Sequence, residues 1–481
     1  MSVTISRFTF RLSASLALAL VAVIALLGSV LPMVSSSTQP TKKGVYPSVG
    51  GDNPYIKLQA HELQANYDAA ATMVVSSALQ AGTMRPLALA SSDVDRDGYP
   101  DLVCGYGAAS GGILTVHRAD RRSFAPEDPE VLKGIAQGQF PDPFLLDART
   151  YELPEAPDFI GAGDFNRDGK ADVVIAARRG NVLYLLEGDG DGGFSYPQPI
   201  SLPGSVTALI TGGINNQDGL ADVIVGIDSP SGSSLLVYEG AKSILETIPE
   251  THPLPARASS LVLGRLDDDR FEDLAILADG QVLILHGRDN SGANDSPADT
   301  RAGKIEKVGV PFTVKAIALG EFIWDRDARL EIAMLGDDGA VHIATRGQLD
   351  TRPWTAEEIL ETRRQMAKTR EKLEKARLRG GSVAMSAPSI SSEPLNWEVV
   401  EDLPETTTDS GSTVAIASDG GASQPILLGT RISAQPSDDL LVMNSSAHQL
   451  QVKYRGGQQQ GDAQIASKSA ERSSVDIVSD T

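Results

Sequence analysis

One cysteine, Cys104, is all that the 481-residue chain offers toward disulfide chemistry, so no intrachain bridge can form and the fold must be held by packing or by bound ions. Its setting in Leu102-Val103-Cys104 is that of a small buried hydrophobe with no activating neighbour. Basic residues are scarce: 42 Lys and Arg stand against 63 Asp and Glu, a formal charge of -21. Nucleic acid and anionic membranes are therefore not expected as general partners, since both need a basic footprint. Aromatics reach only 5%, whereas 46 glycines and 27 prolines suit many short strands joined by turns. Catalytic signatures are missing too. His61-Glu62 lacks the second histidine of a His-Glu-x-x-His zinc motif, and neither a Gly-x-Ser-x-Gly elbow nor a phosphate loop occurs. His117, His286, His342 and His448 fall in or at the ends of strand-like runs, where packing or rim positions are expected.

What the chain does have is Gly163-Asp164-Phe165-Asn166-Arg167-Asp168-Gly169-Lys170-Ala171-Asp172, followed by the apolar run Val173 to Ala177. Side-chain oxygens at Asp164, Asn166, Asp168 and Asp172, with a backbone carbonyl from Lys170, make a loop suited to one Ca2+ ion, which takes six to eight oxygen ligands in irregular geometry. An EF-hand opens the same way but needs a bidentate Glu at its twelfth position, and that position here is Ile175, inside a β-branched run. The loop is therefore expected to join two strands.

The pattern recurs, with copies ending at Asp101, Asp172, Asp222, Asp273, Glu331 and, much decayed, Asp439. Steps between the first five are 71, 50, 51 and 58 residues by subtraction, and a unit of roughly 50 is the size of a four-stranded propeller blade. Each unit repeats one grammar. An inner strand such as Leu87 to Ala90 or Val206 to Ile210 enters the acidic loop, and a second strand such as Asp222 to Val225 or Asp273 to Leu277 leaves it. A third follows (Ile113 to His117, Val182 to Leu186, Leu235 to Tyr238, Val282 to Leu285, Val341 to Ala344, Leu450 to Tyr454), and a less regular fourth, such as Pro197 to Leu202, closes the unit. The second strands are apolar on both faces and must be sandwiched between neighbours.

Gly163 to Gly169 with Asp172-Val173-Val174, and Gly188-Asp189-Gly190-Asp191-Gly192-Gly193-Phe194, resemble the FG-GAP repeats of integrin alpha-subunit propellers and of many exported bacterial proteins. The resemblance runs from about Pro86 to Tyr454. It implies an all-β propeller of six four-stranded blades, a seventh being left open, with calcium in its loops and a role at the cell surface or in secretion, adhesion among them.

Ligand sets differ between copies. Loop one offers Asp93, Asp95, Asp97 and Asp101 with the Tyr99 carbonyl, as complete as loop two. Loop three has Ile214 at its first position and keeps Asn216, Asp218 and Asp222; loop four has Arg265 there and keeps Asp267, Asp269 and Asp273. Loop five, with Glu321, Asp325, Asp327 and Glu331, has an extra residue and no glycine. All are candidate metal loops, and the ions are read as structural, since catalysis needs an open coordination position in a cleft.

Outside the repeats, Arg7 and Arg11 precede an apolar run from Leu16 to Leu31 and small residues to Ser36, the form of an export signal (1–36), with retention as an N-terminal membrane anchor as the alternative. Either way the remainder lies outside the cytoplasm: secreted, periplasmic or on the surface. A linker (37–54) leads to the propeller (55–454), with a strand at Tyr55 to Leu58 and another near residues 71–80 that would complete the last blade and close the ring. Arg118 to Pro157 reads as a long loop on blade one. Thr355-Ala356-Glu357-Glu358 fits a capping box opening the one inserted helix (355–379), which carries eight Lys or Arg against three Glu from Glu361 to Arg379. Docking through its stripe of Ile359, Met366 and Leu373, or contact with an acidic partner or face, both fit. Residues 380–424 read as flexible linker interrupted by an outer strand at Trp397 to Val400, and 455–481 as a polar tail. The expected function is a binding module for a protein or polysaccharide, not an enzyme; the rival is a propeller-based polysaccharide lyase or hydrolase.

Overall fold

The computed structural model describes most of residues 65–453, apart from 68–72, 109, 125–127, 216–218, 241–247, 270, 288–304, 371–395, 404–412, 416–424, 432–436, 445–448 and scattered positions between 327 and 370. The signal, the first linker, the strand at 55–58, most of the basic helix and the tail therefore lie outside the described residues, as do Asn216, Asp218 and Asp327.

Among the described residues, six mostly antiparallel sheets follow one another along the chain. In sheet two, β6 (Phe159–Gly163), β7 (Asp172–Ala176), β8 (Val182–Leu186) and β9 (Gln198–Ser201) lie side by side in chain order. Sheet three repeats this with β10 (Ser205–Gly212) to β13 (Glu250–Pro253), sheet four with β14 (Ala258–Gly264) to β17 (Ile305–Val308), and sheet five with β18 (Val314–Gly320) to β21 (Trp397–Leu403). Successive first strands touch: β2 (Arg85–Ser92) meets β6, β6 meets β10, β10 meets β14, β14 meets β18, and β18 meets β23 (Ile426–Thr430). This is how propeller blades are set, with inner strands side by side. The second strands of sheets one to five are buried over most or all of their length, as their two apolar faces require: all of β7, β15 (Asp273–Ala278) and β19 (Glu331–Gly336) is buried. Close approach is helped by a glycine ending the inner strand. A Cβ on Gly163 would stand 2.4 Å from that of Ala221 in the next sheet.

Four expectations are corrected. Residues Met73–Gln80 form a helix, α1, not a strand. Ala, Ser, Leu and Gln favour it, Gly82 at φ 62° ends it, and exposed Met73 and Val74 do not alternate as a sheet face would. Ring closure by that segment is thus not what forms; instead β1 (Asn66–Tyr67) adds in parallel to the outer edge of β5 (Phe144–Leu153), giving sheet one five strands rather than four. The supposed long loop 118–157 holds α2 (Arg121–Phe124), α3 (Pro129–Ala136) and β5, so the inserted helix is not the only one. Asp128 caps α3 by accepting from the Glu130 amide at 2.9 Å, with Pro129 opening the helix. Finally, the linker after residue 403 contributes β22 (Thr413–Ala415), which precedes its own sheet's inner strand: sheet six runs β22, β25 (Gln449–Lys453), β24 (Asp439–Asn444), β23. The expected outer strand at Trp397 is present as β21.

Candidate functional site

Each acidic loop joins an inner strand to the second strand, and its last acid opens the latter: Ser92 pairs with Asp101, Gly163 with Asp172, Gly212 with Asp222, Gly264 with Asp273 and Gly320 with Glu331. All five acids are buried. Their oxygens serve the backbone. Oδ2 of Asp101 accepts from the Val94 amide (2.9 Å), that of Asp172 from Phe165 (3.2 Å), that of Asp222 from Ile214 (3.0 Å) and that of Asp273 from Leu266 (2.9 Å), while Oε2 of Glu331 accepts from Ile323 (2.9 Å). The other oxygen reaches past the end of the third strand, to the amides of Ala119 (2.7 Å), Gly188 (2.9 Å), Gly240 (2.9 Å) and Gly287 (3.1 Å). The terminal acid therefore ties the loop to its blade.

An apolar plug stands at the second loop position in loops one, two, four and five, and at the first position in loop three. Val94, Phe165, Ile214, Leu266 and Phe322 are each no more than 1% exposed. Sequence reasoning attended to oxygens and passed over this column, although an apolar residue near the start of each of these loops was in plain view.

Loops one and two share their remaining geometry. Asp93 accepts from the amides of Asp97 and Gly98 (both 3.0 Å), Asp95 from Asp97 (3.2 Å) and Asp97 from Tyr99 (2.9 Å), whose ring lies 6.0 Å from Phe124 of α2. Correspondingly, Asp164 accepts from Arg167 (2.8 Å) and Gly169 (3.0 Å), Asn166 from Asp168 (3.0 Å) and Asp168 from Lys170 (3.0 Å), whose Nζ also meets it at 3.0 Å. Arg96 and Arg167 hold positive φ at the same point of the turn, as do Gly98 and Gly169. In loop one, ligand oxygens of Asp93, Asp95 and Asp101 gather within 4.8 Å of one another, a donor set that fits a hard cation.

Loop four departs from the oxygen-only plan. Nδ1 of His286, at the end of β16 (Gln281–Leu285), lies 3.2 Å from Oδ2 of Asp267 and 3.1 Å from Oδ1 of Asp273. Its Nε2 lies 3.0 Å from Glu306. Burial alone would lower this imidazole, but the three carboxylates push it up to about 11. Asp269 accepts from the Phe271 amide (2.8 Å) and is pushed up to about 6, mainly by burial. His286, placed at a packing or rim position by sequence, thus enters the acidic cluster of this loop. His117 and His342 do pack, the former edge-on to Tyr67 and Phe144, the latter stacked 3.9 Å from Phe312. Cys104 is buried as expected, its thiol pushed up to about 12 by burial.

Neighbouring loops are also joined. The amide before one terminal acid donates to the first residue of the preceding loop: Ala221 to Asp164 (3.0 Å), Leu330 to Arg265 (2.8 Å) and Asp438 to Glu321 (2.7 Å). The Gly188–Phe194 stretch reaches loop one through Gly192 N to Val94 O (3.1 Å) and Arg96 Nε to Gly190 O (3.1 Å). At loop five, Arg326 grips Glu358 of the capping box (2.8 and 2.9 Å), whose Thr355 amide donates to the same carboxylate at 2.8 Å. The start of the insertion is thus held at loop five by Glu358, while Ile359, Met366 and Leu373 lie outside the described residues.

Burial raises Asp101 to about 7, Asp172 and Asp222 to about 6 and Glu331 to about 8, against backbone N–H groups that pull the other way. An acid whose folded pKa exceeds its unfolded value, 3.8 or 4.5 here, binds more protons in the fold. Its contribution is whole below that unfolded value and is lost as pH climbs through the folded one. The ion-free chain should therefore melt lower at pH 8 than at pH 5, by on the order of 5 °C. Scanning calorimetry in chelator checks this, and a midpoint rising over that range would contradict it.

Residues 164–225 match the FG-GAP-like repeat model. The match runs from the first ligand of loop two into β11 (Asp222–Ser229), one full period. No curated protein matches the chain. Among solved structures, BBS1N in complex with ARL6DN, soaked with mercury, is similar at 11% identity over 78% of this chain and 93% of that one, with a TM-score of 0.35. The Dos1 propeller is similar at 11% identity over 77% of this chain and 69% of that one, with a TM-score of 0.36.

Proposed function

From a chain that carries an FG-GAP-like repeat, we propose an exported six-bladed propeller, stabilised by calcium in loops one and two, that binds a protein or polysaccharide partner at its acidic-loop end. One observation carries the proposal. The connections from third to fourth strand in sheets one to five all leave at that end, whereas Ser229–Gly232 and its counterparts at the other end are tight turns. Three large apolar side chains stand exposed there, Tyr196 (93%), Ile248 (91%) and Trp324 (50%). Rigid sheets presenting long loops with exposed aromatics are the usual architecture of recognition.

Glycan and protein arrays probed with the purified chain, with and without EDTA, test it. Saturable binding, weakened at least about tenfold by the double change Tyr196→Ala and Trp324→Ala, is the expected result. Turnover of a polysaccharide would instead make the chain a lyase or hydrolase, and binding unchanged in the double variant would move the partner elsewhere.

A further inference from the structure

We propose that loop four is a zinc site, with Asp267, Asp273 and His286 as its three protein ligands. Their ligand atoms lie within 4.8 Å of one another, and the two nitrogen-to-oxygen distances are 3.2 and 3.1 Å. Ligands held about 2.0–2.1 Å from a tetrahedral zinc stand roughly 3.3 Å apart, so these side chains are already close to such spacing. Nitrogen decides the metal. Calcium is bound by oxygen, whereas imidazole with carboxylate suits zinc.

A second shell supports the ligand. Glu306 meets Nε2 of His286 at 3.0 Å, which leaves Nδ1 to face the two aspartates when the ring is neutral. Glu306 is itself held from sheet five, by Trp397 Nε1 at 3.0 Å and Arg346 Nη2 at 3.2 Å. There is also access from solvent: the side chains of His286 and Asp267 are each about a quarter exposed, and His286 lines a small pocket with Asn215, Glu250 and His252. Ligand identity, spacing, outer support and access are what a metal site has to satisfy.

His286 stands where the third strand ends, directly before the amide that Asp273 accepts. The matching residues elsewhere are Arg118, Glu187 and Glu239, before Ala119, Gly188 and Gly240, so only loop four of these receives an imidazole.

Chelator-treated full-length protein, titrated with Zn2+ by calorimetry and with Co2+ by visible absorption, tests the site. One Zn2+ should bind and resist millimolar Ca2+, and Co2+ should show the intense bands of a low-coordinate N/O site. His286→Gln should abolish those bands, and Glu306→Gln should weaken Zn2+ about 10–100-fold. The calcium-induced melting shift of loops one and two should persist in both variants, as the check that they fold. If the folded chain takes up no Zn2+, or His286→Gln binds it equally well, the proposal fails and the histidine serves only as a built-in imidazolium.

Discussion

Asp172→Ala is expected to destabilise the fold by about 3–5 kcal/mol, with or without calcium. The side chain is fully buried, and its two oxygens hold the amides of Gly188 and Phe165 at 2.9 and 3.2 Å. Truncation strands both N–H groups away from water, at about 1–3 kcal/mol each, and opens the point where loop, second strand and third-strand end meet. Asp164→Ala is the control. That residue accepts from Arg167 and Gly169 in an exposed turn. Its loss should cost about 1 kcal/mol or less without calcium, and should remove most of the stabilisation calcium gives. Urea titrations of both variants in EDTA and in calcium separate the roles. Equal midpoints in EDTA would mean that Asp172 acts only as a ligand.

Phe165→Ala should cost about 3–5 kcal/mol, because the ring is fully buried among Val174, Leu185, Val223 and Val225, between sheets two and three. The damage should be local to that junction. A neighbour-stacked architecture is stabilised interface by interface, so amides of β7 and β11 should lose hydrogen-exchange protection before those of β19. Uniform loss across all sheets would show that the array unfolds as one unit and overturn the interface picture.

These two residues also show what was legible in the sequence. The spacing of the acids located every hairpin, from Ser92–Asp101 to Gly320–Glu331, because the register of a strand pair follows directly from where its loop begins and ends. What the acids do there was less visible. A terminal aspartate was read as one more ligand; that its oxygens also take amides supplied from as far away as Gly188 or Gly287 is something spacing within the loop does not encode. The plug and the terminal acid are present in loops one to five, including loops three and four, whose first ligand position is Ile214 or Arg265. The repeated unit is thus a knot of backbone hydrogen bonds around an apolar side chain, and the candidate metal ligands are what varies upon it. His286 escaped notice for a related reason. Its partners Asp267 and Glu306 lie on either side of it in sequence, and only the pairing of β16 with both β15 and β17 brings them to one imidazole. The helix at Met73–Gln80 was missed because two adjacent valines outweighed the Ala, Ser and Gln around them.

The order of strands in sheet six bears on how the chain is made. Sheets two to five can each be completed as synthesis proceeds, one strand laid beside the last. Sheet six cannot, since β22 and β24 remain unbridged until β25, which follows both in the chain, enters between them. A ribosome-bound chain halted before residue 449 would hold five finished sheets and an open seam in the sixth, making this junction the last of the six to become protease-resistant during translation.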